Sequence, residues 1–276
     1  MRQSMWLATT LLWLTGCVAS GPGKETADVA PAPPPGVRFA PSVTSYVSSS
    51  HRWVERDVAG VTHTDSMFLH YQLTAVITEA DSGLAVSFAI DTVLAATGRN
   101  IGPKEIAAAS GSTYTALLSP TGRWYALNSE PAMSPLLEAL AARTSNFFPV
   151  LPVGGLLPSR SWVDSVEIQR MEGGALLTFR VQTTYRSGEW NDAEGGMVIP
   201  IEWVKVYQVD GAGTQFGRPF SLQGEGTATG RSWFARDGRF VGSVSEDDLV
   251  AQLEIDDLEL VTPVRQHQVD TVRVLQ

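Results

Sequence analysis

Four histidines are the side chains of this chain best suited to acid–base or metal chemistry. His63 stands beside Thr64 and Asp65, and His70 follows seven positions later, which raises a hydrolase or a metal site as a hypothesis. However, neither a Gly-x-Ser-x-Gly nor a His-Glu-x-x-His pattern places a nucleophile, a base and an orienting group together. We therefore predict no catalytic residue and no metal site, and we interpret all four histidines as surface residues: His51, His63, His70 and His267.

Acidic residues are concentrated near the end of the chain, at Glu246, Asp247, Asp248, Glu254, Asp256, Asp257 and Glu259. They lack the Asp-x-Asp-x-Asp-Gly order of a calcium-binding loop. We predict that they lie on solvated turns and strand faces. No glycine-rich loop that follows a strand and opens a helix is present, so a nucleotide is not indicated and we predict no cofactor.

Cys17 is the single cysteine of the chain, and it follows an apolar segment of ten residues, 5–14. A bilayer-spanning helix needs about 20 apolar residues, whereas a shorter apolar run after a positive charge, here Arg2, is typical of an export signal. Thr15 and Gly16 supply small residues directly before the cysteine. The segment therefore predicts export, cleavage between Gly16 and Cys17, and a use for the thiol other than a disulfide.

The four residues Leu14-Thr15-Gly16-Cys17 resemble the lipobox of bacterial lipoproteins. The resemblance implies an S-linked diacylglycerol on Cys17 and an acyl chain on the new amino terminus, and two or three chains together give stable anchoring. Val18 rather than Asp follows the cysteine, which in such lipoproteins favours the outer membrane, facing the periplasm. A lipid-anchored protein of the cell envelope, attached to the membrane through Cys17, is the localisation that this predicts.

The composition restricts the classes of partner. The whole chain has a formal net charge of −9, which argues against nucleic acid and against attraction to anionic lipid.

After the signal peptide 1–16, residues 17–36 form a linker with five prolines, in which extended polyproline II conformation is favoured. We predict that 37–276 is one mainly β domain and that 37–128 and 160–276 are two similar halves, through duplication or through reuse of the same turns.

Two-residue alternation of apolar and polar side chains predicts most of the body as antiparallel strands. Residues 68–79 and 84–90 are predicted to form a hairpin, as are residues 114–119 and 123–128. Asp237-Gly238 predicts a third tight turn. Pro200 predicts a sheet edge or a bulge, and Asp256-Asp257 predicts a bulge inside the last strands.

One stretch, 130–148, has apolar residues at three- and four-residue spacing and predicts an amphipathic helix, capped by Ser129. The fold class that follows is a large curved antiparallel sheet, either a half-barrel or a two-sheet sandwich, with one helix. In strand number, helix and membrane tether it is similar in outline to half-barrel lipoprotein carriers of the Lol type. This resemblance implies an apolar ligand between sheet and helix.

Two functions remain open. The first is a non-enzymatic module that binds an apolar molecule such as lipid between sheet and helix, in a pocket for which the sequence offers Met133, Leu137, Leu140, Phe147, Phe179 and Trp203. The second is a structural or interaction lipoprotein that presents its surface to an envelope protein or the cell wall. It predicts a filled interior together with an exposed apolar or aromatic patch.

Overall fold

The computed structural model of the chain describes residues 36–275 except 59, 82, 99–100, 129–133, 173–174, 194–195 and 216–217. The predicted signal peptide, Cys17 and nearly all of the predicted linker therefore lie outside the described residues. Residues Pro35–Gln276 form one compact unit. Among the described residues, no helix is long and apolar enough to cross a membrane.

The predicted alternation builds one large antiparallel sheet, since every second side chain faces the same side of a strand. The predicted fold class, mainly β with a curved sheet, is confirmed. The strands are β1 (Ser42–Val58), β2 (Val61–Ala80), β3 (Gly83–Thr97), β4 (Thr113–Leu118), β5 (Trp124–Asn128), β6 (Ser161–Glu172), β7 (Ala175–Ser187), β8 (Asn191–Ala193), β9 (Gly196–Gln215), β10 (Arg218–Ala235), β11 (Phe240–Ile255) and β12 (Leu260–Val274). The helices are α1 (Pro103–Ala109) and α2 (Pro135–Thr144).

The strand order is β5-β4-β3-β2-β1-β12-β11-β10-β9-β7-β6, with short β8 paired to β9. Each half of the chain is a meander, and the two meanders meet where β1 pairs with β12, for example Tyr46 opposite Val274. The first and last strands of the chain thus lie side by side in the middle of the sheet. Whether the two halves arose by duplication stays a prediction.

The two edges of the sheet meet at one end, which shows that the sheet is strongly curved. Arg123, directly before edge strand β5, forms a salt bridge with Asp164 in edge strand β6. In a flat sheet of eleven strands these edges would lie about 48 Å apart, at about 4.8 Å per strand. The connector after α2 joins the same edges, since Leu151 N donates to Thr121 O and Trp162 Nε1 donates to Val150 O, both at 2.8 Å.

Helix α2 packs inside this curve. Ser134 caps it by accepting a hydrogen bond from Leu137 N at 3.2 Å, and Pro135 opens its first turn. Phe148, just beyond α2, contacts Phe88 of β3 and Phe240 of β11, with ring centroids 6.2 and 5.3 Å apart. These two strands are separated by three others in the sheet, so the core is shared by both meanders.

Most predicted elements are confirmed, and the differences have local causes. The helix was predicted over 130–148 with Ser129 as its cap, but α2 begins at Pro135 after the cap Ser134 and ends at Thr144, and residues 129–133 lie outside the described residues. Asp256-Asp257 was predicted as a bulge, but residues 256–258 are a 3-10 turn that joins β11 to β12. Here two aspartates and Leu258 close a hairpin rather than interrupt one strand.

Pro200 was predicted at an edge or a bulge, but it pairs with Trp233 of β10 in regular register, without a bulge in β9. Strand β9 lies inside the sheet between β7 and β10, so the edge prediction is wrong. Proline is tolerated because β7 ends opposite Ile201, one residue away, so no residue of β7 pairs with Pro200.

Candidate functional site

The concave face of the curved sheet is the surface on which the predicted pocket residues were expected to meet. The helix covers one part of it. Leu137, Leu140 and Phe147 are buried at 8%, 0% and 5% exposure in the core between α2 and the sheet. Two shallow depressions of the described surface, of about 270 and 440 Å³, are lined by other residues, and neither lies between α2 and the sheet. The space under the helix is therefore occupied by side chains.

The other predicted pocket residues lie elsewhere. Trp203 of β9 is half-buried and packs at the border of the same core, whereas Phe179 of β7 belongs to a second, smaller cluster. Met133 lies outside the described residues. The structure thus brings together four of the six residues, and a ligand role for any of them stays a prediction.

The remaining part of the concave face is not covered by α2, and we call it the open half. Its apolar end is centred on three buried residues, Ala175, Leu177 and Val209. Half-buried apolar side chains surround these, namely Phe179, Phe220, Leu222 and Leu249. Such partly exposed apolar side chains on a concave surface are typical of a ligand-binding face.

Strand β10 presents almost no side chains to the open half. Between Leu222 and buried Ser232, every second residue faces the concave side and is glycine or alanine: Gly224, Gly226, Ala228 and Gly230. A Cβ atom at Gly226 would overlap the ring of Tyr207, and one at Gly230 would overlap the ring of Trp203. These glycines therefore let two aromatic rings of β9 lie across the neighbouring strand.

Tyr207 reaches over β10 to β11, where its hydroxyl donates a 2.6 Å hydrogen bond to Asp247 Oδ1. Burial raises the pKa of the Asp247 carboxyl above its ordinary value, and the Tyr207 hydrogen bond and the nearby Lys205 charge oppose this only in part. Lys205 Nζ lies 5.4 Å from the centroid of the Trp203 ring, within cation–π range. The open half thus combines apolar, aromatic, cationic and carboxyl groups.

The boundary between the covered and open halves is ionic. Arg143, in the last turn of α2, lies with Nη1 3.8 Å from Asp270 Oδ1 of β12, and its side chain is only 11% exposed. The Asp270 charge also raises the pKa of Asp247, although burial is the larger cause. A ligand in the open half would therefore meet polar groups beside α2 and apolar groups farther from it.

Three histidines, His51, His70 and His267, lie on the opposite, convex face, whereas His63 lies on the same side of β2 as buried Leu69. His63 is exposed in β2, which starts at Val61. His70 Nδ1 lies 2.8 Å from Ser49 Oγ, and the described residues add no carboxylate hydrogen bond to this pair. A row of ring contacts, which we call the convex strip, lies on the convex face. It is formed by five half-buried residues: His51, Trp53, Phe68, His70 and His267.

Asp247, Lys205 and Tyr207 were not singled out as site residues from the sequence. The two-residue periodicity of β11 does indicate the position of Asp247, because residues 247, 249 and 251 face the same side of the strand and Ala251 is buried. The alternating glycines of β10 also indicate a close approach by neighbouring groups. Their meaning depends on the order of β9, β10 and β11 in the sheet, which the sequence does not specify.

No protein-family model and no curated protein sequence matches the chain. Among solved structures, Neisserial surface protein A is similar at 10% identity over 84% of this chain and 98% of that one, with a TM-score of 0.23. OccK2 (OpdF) of Pseudomonas aeruginosa in complex with glucuronate is similar at 8% identity over 85% and 99%, with a TM-score of 0.25. Similarity at this level does not define a shared architecture, and the function is argued below from residues and geometry.

Proposed function

We propose that this protein is a lipid-anchored envelope protein that binds an amphipathic, lipid-like ligand on the open half of its concave face and catalyses no reaction. Acyl chains on Cys17 would hold it at the outer membrane, facing the periplasm, through the linker 17–36. The lipobox residues Leu14-Thr15-Gly16-Cys17 support the anchor, and their role is independent of the ligand.

The observation that carries the ligand proposal is the division of the concave face. Under α2 the interior is filled, for example by fully buried Leu140, whereas half-buried Phe179 and Leu249 remain partly accessible on the open half. An acyl chain would lie along these apolar side chains. Its polar group would lie nearer Lys205 and Asp247, so the ligand would sit beside the helix rather than beneath it.

Acylation is tested on the full-length protein expressed in bacteria with labelled palmitate. We expect the wild-type chain to lose residues 1–16 and to carry label and the mass of its acyl chains. Cys17→Ser is expected to stay unlabelled and unprocessed, because the sulfur that accepts the lipid is gone. A wild-type protein of unmodified mature mass would disprove the anchor.

Ligand binding is tested on the mature chain with Cys17→Ser, exported by an ordinary signal so that its own acyl chains cannot occupy the site. A fluorescent hexadecanoic acid analogue serves as the probe. Leu249→Gln removes an apolar contact from the open half and should weaken binding by about tenfold or more. Its neighbour Val250→Gln, 56% exposed on the convex face, is the matched control. Equal affinity for both variants, or no binding by the parent, would refute the site.

A second function, an interaction protein of the envelope, is favoured by two observations. The interior beneath α2 is filled, and the convex strip places half-buried rings, including Trp53 and Phe68, on an accessible surface. A photoreactive residue at Ser66 on the convex face should then crosslink a defined envelope protein in cells. The same residue at Gln266 on the concave face is the control, and crosslinks from neither position would count against this function.

A further inference from the structure

Three side chains with metal-binding atoms converge on the convex face beside the convex strip. Glu246 and Asp248 are two residues apart on β11, so both face the same side of the strand. His267 of β12 stands directly opposite Asp248 in the register of the two strands. The pairing of β11 with β12 thus unites a histidine and two carboxylates that are about 20 positions apart in sequence.

The distances among these groups are close to those of a metal site. His267 Nδ1 lies 2.8 Å from Asp248 Oδ1, and His267 Nε2 lies 3.8 Å from Glu246 Oε1. One donor atom from each residue lies within 4.8 Å of the other two. Donors that share an ion at about 2.1 Å are about 3 to 4 Å apart. The two short contacts use different ring nitrogens of His267, so an ion bound to one nitrogen requires the carboxylate beside the other nitrogen to rotate toward it.

We propose that Glu246, Asp248 and His267 bind one divalent transition-metal ion. One imidazole nitrogen with two carboxylate oxygens suits Zn²⁺ and Cu²⁺, and Cu²⁺ has the higher intrinsic affinity for such donors. The carboxylates neutralise the dipositive charge. Their side chains are 60% exposed, which leaves room for water to fill the remaining coordination positions.

Trp53 of β1 gives the site a rigid side. Its ring centroid lies 5.2 Å from that of His267, with an angle of 31° between the planes, and His51 stacks behind it at 3.6 Å. The imidazole is therefore held between a tryptophan on one strand and carboxylates on another. Because the site lies on the convex face, it is independent of the proposed ligand surface on the concave face.

The contact with Trp53 supplies the measurement. Chelator-treated acylated protein in detergent is titrated with Cu²⁺, and bound ion is counted by equilibrium dialysis. We expect one ion per chain and quenching of tryptophan fluorescence, since paramagnetic Cu²⁺ at His267 would lie close to Trp53. Zn²⁺ should compete with Cu²⁺ and restore the emission, and Trp53→Phe should remove the quenched fraction while binding persists.

Variants test the three donors separately. His267→Ala and Asp248→Asn should each weaken Cu²⁺ binding by about tenfold or more, whereas His63→Ala, which changes an exposed histidine elsewhere on β2, should bind as the wild type. Circular dichroism of each metal-free variant confirms that it is folded. Wild-type affinity in either donor variant, or no bound ion in the wild-type protein, would overturn the site.

Discussion

At the scale of single residues, Asp247 shows how the fold changes the role of a side chain. It belongs to an acidic run that the sequence predicts to be solvated, and its neighbours Glu246 and Asp248 are indeed exposed on the convex face. Asp247 instead faces the concave side and bonds Tyr207, because one step along a strand reverses the face. Acidic composition alone cannot distinguish these two environments.

Replacing Asp247 with Asn should make the protein more stable at neutral pH. Burial raises the pKa of this carboxyl in the folded state above its ordinary 3.8, so the folded state binds the proton more tightly than the unfolded chain. Stability is therefore lost as pH rises through that window. We expect the gain in thermal midpoint of Asp247→Asn to shrink as pH falls below 4. Asp248→Asn is the exposed control, and a loss of stability in Asp247→Asn at pH 7 would contradict the argument.

The buried tyrosines predict a second pH response. Burial raises the pKa of Tyr46, Tyr71 and Tyr114 beyond the range of an ordinary phenol, and it raises the pKa of Tyr185 to about 12. The stability that their protonated forms contribute is present below pH 10 and is lost as pH rises above it. Tyrosinate absorbance should therefore increase together with the loss of β-sheet circular dichroism. Full ionisation of the tyrosines in a protein that keeps its circular dichroism would disprove this.

At the scale of elements, periodicity predicts that the hairpins and the helix exist but not their full extent. Period two predicts β4 and β5 closely, whereas β2 starts at Val61 and β3 ends at Thr97, each about seven residues beyond the predicted range. Each turn between these paired strands has glycine or proline chemistry. Long β10 was predicted only at its end, 232–235, because its concave positions are mostly glycine and alanine rather than large apolar residues. The rings of Trp203 and Tyr207 on the neighbouring strand β9 supply the packing. The sequence of β10 alone does not show this contact.

A methyl group at Gly226 tests the packing of β9 against β10. Gly226→Ala should lower the free energy of unfolding by about 1–3 kcal/mol, because the new Cβ atom would overlap the Tyr207 ring. Gly154→Ala adds the same methyl group where no other atom lies within 4 Å and is the matched control. Chemical denaturation measures both. If Gly226→Ala is as stable as the control, Tyr207 does not lie across β10 in solution.

At the scale of the whole molecule, side chains connect the two edges of the sheet at one end. Arg123 and Asp164 meet there although ten strand-to-strand steps separate their elements in the hydrogen-bonded order. The sequence predicts that the sheet is curved but not how far it curves. The amount of curvature depends on the sum of twists over many strands and on the volume of the core, neither of which is a local property.

The ion pair that joins the two edges predicts that removing one partner costs at least as much stability as removing both. Asp164 is only 16% exposed, so Arg123→Ala leaves a mostly buried carboxylate without its partner and should cost about 1–3 kcal/mol. The double variant with Asp164→Ala should be at least as stable as Arg123→Ala alone, because that carboxylate is removed. Arg218→Ala, which breaks an exposed pair with Asp257, is the control and should cost less than about 1 kcal/mol. A double variant clearly less stable than Arg123→Ala would refute the explanation.

The pairing of β1 with β12 at the centre of the sheet also has a consequence for the order of folding. A chain that emerges from its amino terminus can form each meander from local hairpins as soon as those strands are available. The two meanders cannot be joined until residues 260–274 arrive, more than 200 positions after their partner strand. Closing so long a loop is slow, so the half-formed sheet exposes the edges of β1 and β11 until then. A protein of this design would therefore need protection from aggregation until β12 has been added.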